Sequence, residues 1–201
     1  MYRWLEGETA TIDRIADLGQ AVTALARFIV ALHRVDPMDG PPPGEHNFFR
    51  GVPLAMRDDP TRAALDALRG AIDTRAATTA WDAALRTPVW SDPPVWVHGD
   101  LAPGNLLFQR GRLTAVIDFG CLGVGDPACD LIVAWNFLAG DDRTNFRIAL
   151  DVDDATWARG RGWALSVALI QLPYYRDTNP TLAANSRRVI REVLAGDLAT
   201  D

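Results

Sequence analysis

The chain has 201 residues, 48% of them hydrophobic, and a formal charge of −6 at pH 7. A chain of this length can bury about 70% of its unfolded surface, enough for one core without disulfides or a structural metal. Its acidity argues against nucleic acid as a partner and is compatible with a cationic small molecule.

No basic stretch leads into an apolar signal core, and no apolar run is long enough to span a bilayer, so the chain is expected to be cytoplasmic with no membrane partner. Cys121 and Cys129 have no histidine nearby, which makes a poor zinc site, and they read as reduced packing residues.

In chain order, Leu18, Val22, Leu25, Ile29 and Leu32 recur at helical spacing and predict a long amphipathic helix ending between His33 and Asp36. Pro41-Pro42-Pro43-Gly44 breaks the chain and opens a loop reaching Arg57. Asp59-Pro60 starts the next helix, and alanine-rich stretches to Arg69 and from Ala76 to Leu85 read as helical. Val95-Trp96-Val97 is a short strand. The segment from Asn105 to Gln109 is expected to pair with Leu113 to Asp118 across an Arg110-Gly111-Arg112 turn.

Asp126 before Pro127 predicts an N-cap and first-turn proline for a helix through Phe137, with Gly140 beyond its end. Asp153 or Asp154 opens another helix, carrying Trp157, Trp163, Leu165 and Leu169. Tyr174-Tyr175-Arg176-Asp177 follows Pro173 and is expected to leave the helical stripe. Asn179-Pro180 starts a last helix that stops at Gly196. No internal repeat or low-complexity tail divides the chain, so residues 1–201 form one domain.

The chemistry concentrates in His98-Gly99-Asp100-Leu101-Ala102-Pro103-Gly104-Asn105 and in Ile117-Asp118-Phe119-Gly120. Phosphoryl transfer requires in-line positioning and charge neutralisation more than covalent help from the protein. An aspartate beside the acceptor hydroxyl orients it and receives its proton, while an amide oxygen and a second carboxylate hold Mg²⁺ against the triphosphate. Asp100 fits the first role; Asn105, five positions on, and Asp118, at the exit of an apolar run, fit the second. The duller alternative is that Asp100 caps a turn and Asp118 ends a hairpin.

These motifs resemble the aminoglycoside phosphotransferases and related small-molecule kinases, which share the protein-kinase-like fold. The resemblance extends to Gly125-Asp126-Pro127 with Asp130-Leu131, and to Tyr2-Arg3-Trp4-Leu5-Glu6-Gly7, which is similar to the family's interlobe hinge. It implies an α+β fold: a mostly helical kinase-like carboxy-terminal lobe with a small β-hairpin carrying the catalytic and metal loops, and residues 1–9 as hinge. Protein kinases usually carry arginine where this chain has Gly99, so no activation-loop switch is expected. The chain has no glycine-rich GxGxxG loop before a strand and no lysine, all 20 of its basic residues being arginine. The amino-terminal ATP-clamping lobe is therefore expected to be absent and the chain truncated, with self-association through the surface that lobe would cover.

By the same resemblance, the reaction is transfer of the terminal ATP phosphoryl to a small-molecule hydroxyl, with Asp100 as base and Mg²⁺ on Asn105 and Asp118. Trp4 and Leu5 offer hinge contacts to adenine, and Leu107 and Ile117 form its apolar floor or simply pack in the core. His98 and Asp130 brace the catalytic loop, whereas His33 and His46 carry no assigned role. A hydroxylated, cationic acceptor would meet Trp135, Asp141, Asp142, Tyr174, Tyr175 or Asp177, with solvated surface acids as the alternative. Choline, homoserine or a sugar amine are alternative acceptors. An inactive lobe or binding module is the alternative function.

Overall fold

The computed structural model describes residues 6–10, 15 and 17–196. Two small antiparallel sheets sit among helices. Strands β1 (Glu8–Thr9), β3 (Leu106–Gln109) and β4 (Arg112–Val116) form one sheet in the order β1-β3-β4; β2 (Val95–Val97) and β5 (Gly123–Gly125) form the other. Neither β1 nor β5 is expected from the sequence, because both are two- or three-residue segments rich in glycine or polar residues. The β3–β4 hairpin closes on Arg110 and Gly111, both at positive φ (50° and 75°), with Gln109 opposite Arg112. That is the two-residue turn whose twist matches the strands. Strand β4 stops at Val116, so Asp118 lies beyond the ladder rather than at its end as expected.

Helix α1 (Leu18–His33) starts on Asp17, whose carboxylate accepts from the Gln20 amide, and buries Ala21, Val22, Leu25, Ala26 and Ile29. This is the predicted stripe. The following loop contains two 3₁₀ turns, at Glu45–Asn47 and Leu54–Arg57, before α2 (Asp58–Ala67) and α3 (Thr74–Leu85). Helix α2 begins one residue before the expected Asp59, and Asp58 instead accepts from the Trp81 indole at 2.8 Å, tying α2 to α3.

After β5, Asp126 caps a 3₁₀ turn at Pro127–Ile132 that passes into α4 (Val133–Asn136). Gly140 does not trail this segment but opens α5 (Gly140–Leu150). Asp153 caps α6 (Asp154–Tyr175), and Asn179 caps α7 (Pro180–Ala195). Helix α6 runs through Pro173 to Tyr175, contrary to the expected break there. Proline removes only its own amide from the ladder, and the bond from the Arg176 amide to the Leu172 carbonyl closes the final turn.

Eleven residues of α6 are buried, spread round its circumference, because α2, α3, α7 and the 127–132 turn surround it. Gly160 and Gly162 permit that approach. A Cβ on Gly160 would stand 2.6 Å from the Leu131 Cβ. The core holds fully buried Trp81, Trp163 and Phe146, and among the described residues no helix is long and apolar enough to cross a membrane.

Candidate active site

Strand β2 delivers the chain into His98-Gly99-Asp100, and one buried carboxylate fixes that turn. Asp130 accepts from the His98 amide at 3.0 Å and from the Gly99 amide at 2.8 Å, and His33 Nε2 lies 3.2 Å from the same group. Asp130 is completely buried, so these donors replace the water its charge would otherwise need. His33, unassigned from the sequence, thus belongs to the bracing of the catalytic loop. The two partners stand 97 residues apart, and no local pattern links them.

His98 is also fully buried. Its Nε2 donates to the Ile117 carbonyl at 3.0 Å, and its Nδ1 accepts from the Asp100 amide at 3.3 Å. With both ring nitrogens engaged, the imidazole joins the catalytic loop to the strand exit before Asp118 and has no free atom for proton transfer. The ring also packs on Phe119, centroids 4.8 Å apart.

Asn105 ends a 3₁₀ turn at Pro103–Asn105 and donates through Nδ2 to the Asp100 carbonyl (2.8 Å) and carboxylate (3.1 Å). Its carbonyl accepts from the Ile117 amide at 2.9 Å. These bonds gather Asp100, Asn105 and Asp118 at one end of the hairpin. Asp118 is exposed and in the left-handed region (φ 62°, ψ 68°), accepting from the Gly120 amide at 3.3 Å. Such a backbone is uncommon for a residue with a side chain and is frequent at functional turns. The amide group of Asn105 faces Asp100 through nitrogen, which turns its Oδ1 the other way. One carboxylate and one amide oxygen form an all-oxygen donor set suited to Mg²⁺, which is held by few protein ligands together with phosphates.

Arg50, which sequence reasoning passed over, reaches this site from the loop after α1. Its Nη2 is 3.9 Å from Asp100 Oδ1, with the arginine side chain 9% and the aspartate side chain 40% exposed. Below them, Asp126 forms a buried ion pair with Arg159 (2.8 Å), and Gly125 packs against Gly51. Burial is the main cause that pushes the Cys121 thiol up, followed by Asp100; the Arg50 guanidinium, which hydrogen-bonds it, acts in the opposite direction.

The remaining candidates scatter. Trp4 and Leu5 lie outside the described residues. Leu107 is buried and Ile117 half-buried, on the strand and strand exit beside the site. A hollow of about 560 Å³ opens where Glu6, Gly7, Glu8 and Thr9 face Phe108, Gln109, Arg110 and Gly111. It lies toward the turn end of the hairpin, away from Asp100.

Trp135 is only 3% exposed, tilted at 42° against Trp157 (centroids 4.8 Å) with the Arg143 guanidinium over its ring (5.8 Å). Its surface is spent in the core, which removes it from acceptor contact. Asp141 and Asp142 occupy the first turn of α5, where the helix dipole favours acids irrespective of any ligand. Tyr174 is exposed, Tyr175 packs partly on the core, and Asp177 pairs with its neighbour Arg176.

The chain is 29% identical over 137 residues to an aminoglycoside 3'-phosphotransferase of Escherichia coli, and 28% identical over 137 residues to one of Salmonella typhimurium. Each alignment takes in 67% of this chain and 50% of the relative, so the chain spans about half the length of the curated relatives it matches.

Among solved structures it resembles the GDP and kanamycin complex of APH(2")-IIia, with a TM-score of 0.69 and 20% identity over 98% of this chain and 70% of that one. It also resembles macrolide 2'-phosphotransferase MphH from Brachybacterium faecium, with a TM-score of 0.57 and 18% identity over 94% and 68% of the two chains. These likenesses establish the kinase-like α+β fold. The profile of the APH phosphotransferase enzyme family matches residues 1–163, and the chain belongs to that family.

Proposed function

We propose that this chain transfers the terminal phosphoryl group of ATP to the hydroxyl of a small molecule. The observation that carries this reading is the convergence of Asp100, Asn105 and Asp118 at one rim, locked by the Asn105 side chain and the Ile117 amide. Asp100, with its carboxylate partly open to solvent, accepts a hydrogen bond from the acceptor hydroxyl and takes its proton as the new O–P bond forms and the bond to the ADP oxygen breaks. Asn105 Oδ1 and the Asp118 carboxylate would hold Mg²⁺, which when bound neutralises charge on the triphosphate. Leu107 and Ile117 supply apolar surface beside the nucleotide.

The acceptor in this reading is hydroxylated and cationic, an aminoglycoside or another amine such as choline, homoserine or a sugar amine. Solved relatives include complexes with gentamicin, streptomycin and kanamycin and a macrolide 2'-phosphotransferase, so the fold admits more than one acceptor. Asp141, Asp142, Tyr174, Tyr175 and Asp177 are the acceptor-side candidates.

A second reading, a non-catalytic lobe that binds nucleotide without turnover, is favoured by the absence of lysine from all 201 residues. Arginine is a planar fork and not a substitute for a compact ammonium against phosphates.

Calorimetric titration of Mg-ATP into the chain tests the site. Binding that Asp118→Ala abolishes is expected, and binding that is absent, or indifferent to that change, sinks the assignment. Turnover against a panel of hydroxylated amines then separates the two readings.

A further inference from the structure

We infer that Arg50 is a positioning residue for Asp100, delivered from a remote loop to hold the carboxylate in the orientation that faces the acceptor; this rests on the assignment of Asp100 as base.

The two oxygens of Asp100 face partners on different sides. Asn105 Nδ2 donates to Oδ2 at 3.1 Å, and Arg50 Nη2 stands 3.9 Å from Oδ1. With Asn105 alone, the carboxylate could still rotate about its own bond. A cation beside the second oxygen favours one orientation by charge, without a hydrogen bond, while leaving the outer face of the group open.

The loop that supplies Arg50 is built for delivery. Asn47 is fully buried and binds the loop to itself: its Oδ1 accepts from the Gly44 amide at 3.0 Å, and its Nδ2 donates to the Arg50 carbonyl at 3.1 Å. Just beyond, the Gly51 carbonyl accepts from the Asp126 amide at 2.9 Å, anchoring the loop to the segment after β5. Between these anchors Phe48 and Phe49 are both left-handed, with φ of 53° and 56°. Two consecutive bulky residues in that region are unfavourable, and such strain collects where a neighbouring group must be aimed. Their rings are largely exposed, so core packing does not account for the conformation.

Gly99 provides the seat. It has a φ of +78°, and a Cβ there would stand 2.6 Å from the Cys121 carbonyl oxygen and 3.0 and 3.1 Å from the Arg50 Cβ and Cγ. The arginine stem therefore lies along the catalytic-loop backbone, in space that any side chain at position 99 would take. A purely structural arginine this deeply buried would be expected to have its donors satisfied, yet Arg50 Nε has no hydrogen-bond partner among the described residues. Its charge also faces another buried cation. Arg57 is pushed down to about 10, first by burial and then by Arg50.

The test compares wild type, Arg50→Met, Arg50→Lys, Asp100→Asn and the double variant Arg50→Met with Asp100→Asn. In steady-state turnover, Arg50→Met is expected to lower kcat by roughly 10- to 100-fold with KM for ATP unchanged, the scale of a misplaced catalytic group. Arg50→Lys should recover part of the loss, and in the Asp100→Asn background Arg50→Met should cost nothing further. Unchanged kcat, or equal losses in both backgrounds, overturns the proposal.

A second readout needs no turnover, and so separates failure of this inference from failure of the phosphotransfer reading. Cys121 is faced by Asp100, Arg50 and Asp118, whereas Cys129 is completely buried. The pH profile of Cys121 alkylation by iodoacetamide should move upward in Arg50→Met and downward in Asp100→Asn, with the two shifts non-additive in the double variant. Continued protection of Cys129 reports that each variant is folded, and Arg50→Gln serves as the neutral probe if Arg50→Met exposes Cys129. Identical Cys121 profiles in wild type and the folded neutral Arg50 variant overturn the placement of Arg50. A wild type that never turns over but shows coupled shifts retires the base assignment alone.

Discussion

The catalytic segment from β2 to the 127–132 turn and the helical region of α2, α3, α6 and α7 are held together in different ways. In the first, regular structure is sparse, and its strands are three to five residues long. Its shape comes from side chains that meet backbone amides across long sequence separations: Asp130 to His98 and Gly99, and His98 to Ile117. In the second, backbone bonds are satisfied within helices, and apolar volume around α6 decides the arrangement. The first region is therefore sensitive to the loss of single polar atoms, and the second to changes of shape. Asp100, Asn105 and Asp118 stand where a hydrophobic core cannot fix them, so polar contacts do.

The largest effect should come from Asp130→Ala. It leaves the buried amides of His98 and Gly99 without an acceptor, at about 1–3 kcal/mol for each unsatisfied group. Urea unfolding should show a loss of roughly 3–5 kcal/mol. Asp130→Asn keeps one acceptor oxygen and should lose less. If alanine and asparagine are both nearly neutral, the polar account of this region is broken.

Gly160→Ala probes the other region through volume alone. The added methyl meets the Leu131 Cβ at 2.6 Å and the Ala128 carbonyl at 3.2 Å, so α6 must move off the 127–132 turn. Overpacking of this kind costs about 1–3 kcal/mol, against a helix-propensity gain of about 1 kcal/mol. A net loss in thermal or urea unfolding is expected, and a gain would show that this contact is looser than the geometry indicates.

The smallest effect concerns the cap of α6. Asp153→Ala should cost about 1 kcal/mol at neutral pH. The Thr156 backbone amide is the main cause that holds the Asp153 carboxyl below its usual range. The folded-state value is thus depressed relative to the unfolded one. The stabilisation is complete above the ordinary carboxylate range and disappears as pH falls through the depressed value. Unfolding curves for wild type and Asp153→Ala should therefore converge in acid, and a gap independent of pH would point to packing instead of the charge.

Much of the helical region was legible because its signals are local. Asn179-Pro180 and Asp126-Pro127 cap where their sequence indicates, and the α1 stripe buries as its spacing requires. The break expected at Pro173 did not occur, since a proline near a helix end removes one bond without ending the helix when the flanking turn is packed. In the segment from β2 to the 127–132 turn the motif residues were legible by type and spacing, and His98 and Asp130 as supports through the family resemblance, but the remaining supports were not. His33 carried no motif and lies 97 residues from Asp130. Arg50 sat in a segment read as loop. Trp135, an aromatic in an apolar run, gave no sign of whether its face met solvent or the core.

By itself the sequence determined the family motifs, the helix punctuation and the hairpin turn, because residue type, periodicity and backbone preference act over a few positions. Tertiary structure alone decided that His33 would reach Asp130, that Gly99 would leave room for an arginine from another loop, and that Trp135 would be enclosed. Those outcomes depend on which distant surfaces meet when the core closes, and burial then makes each polar partner obligatory.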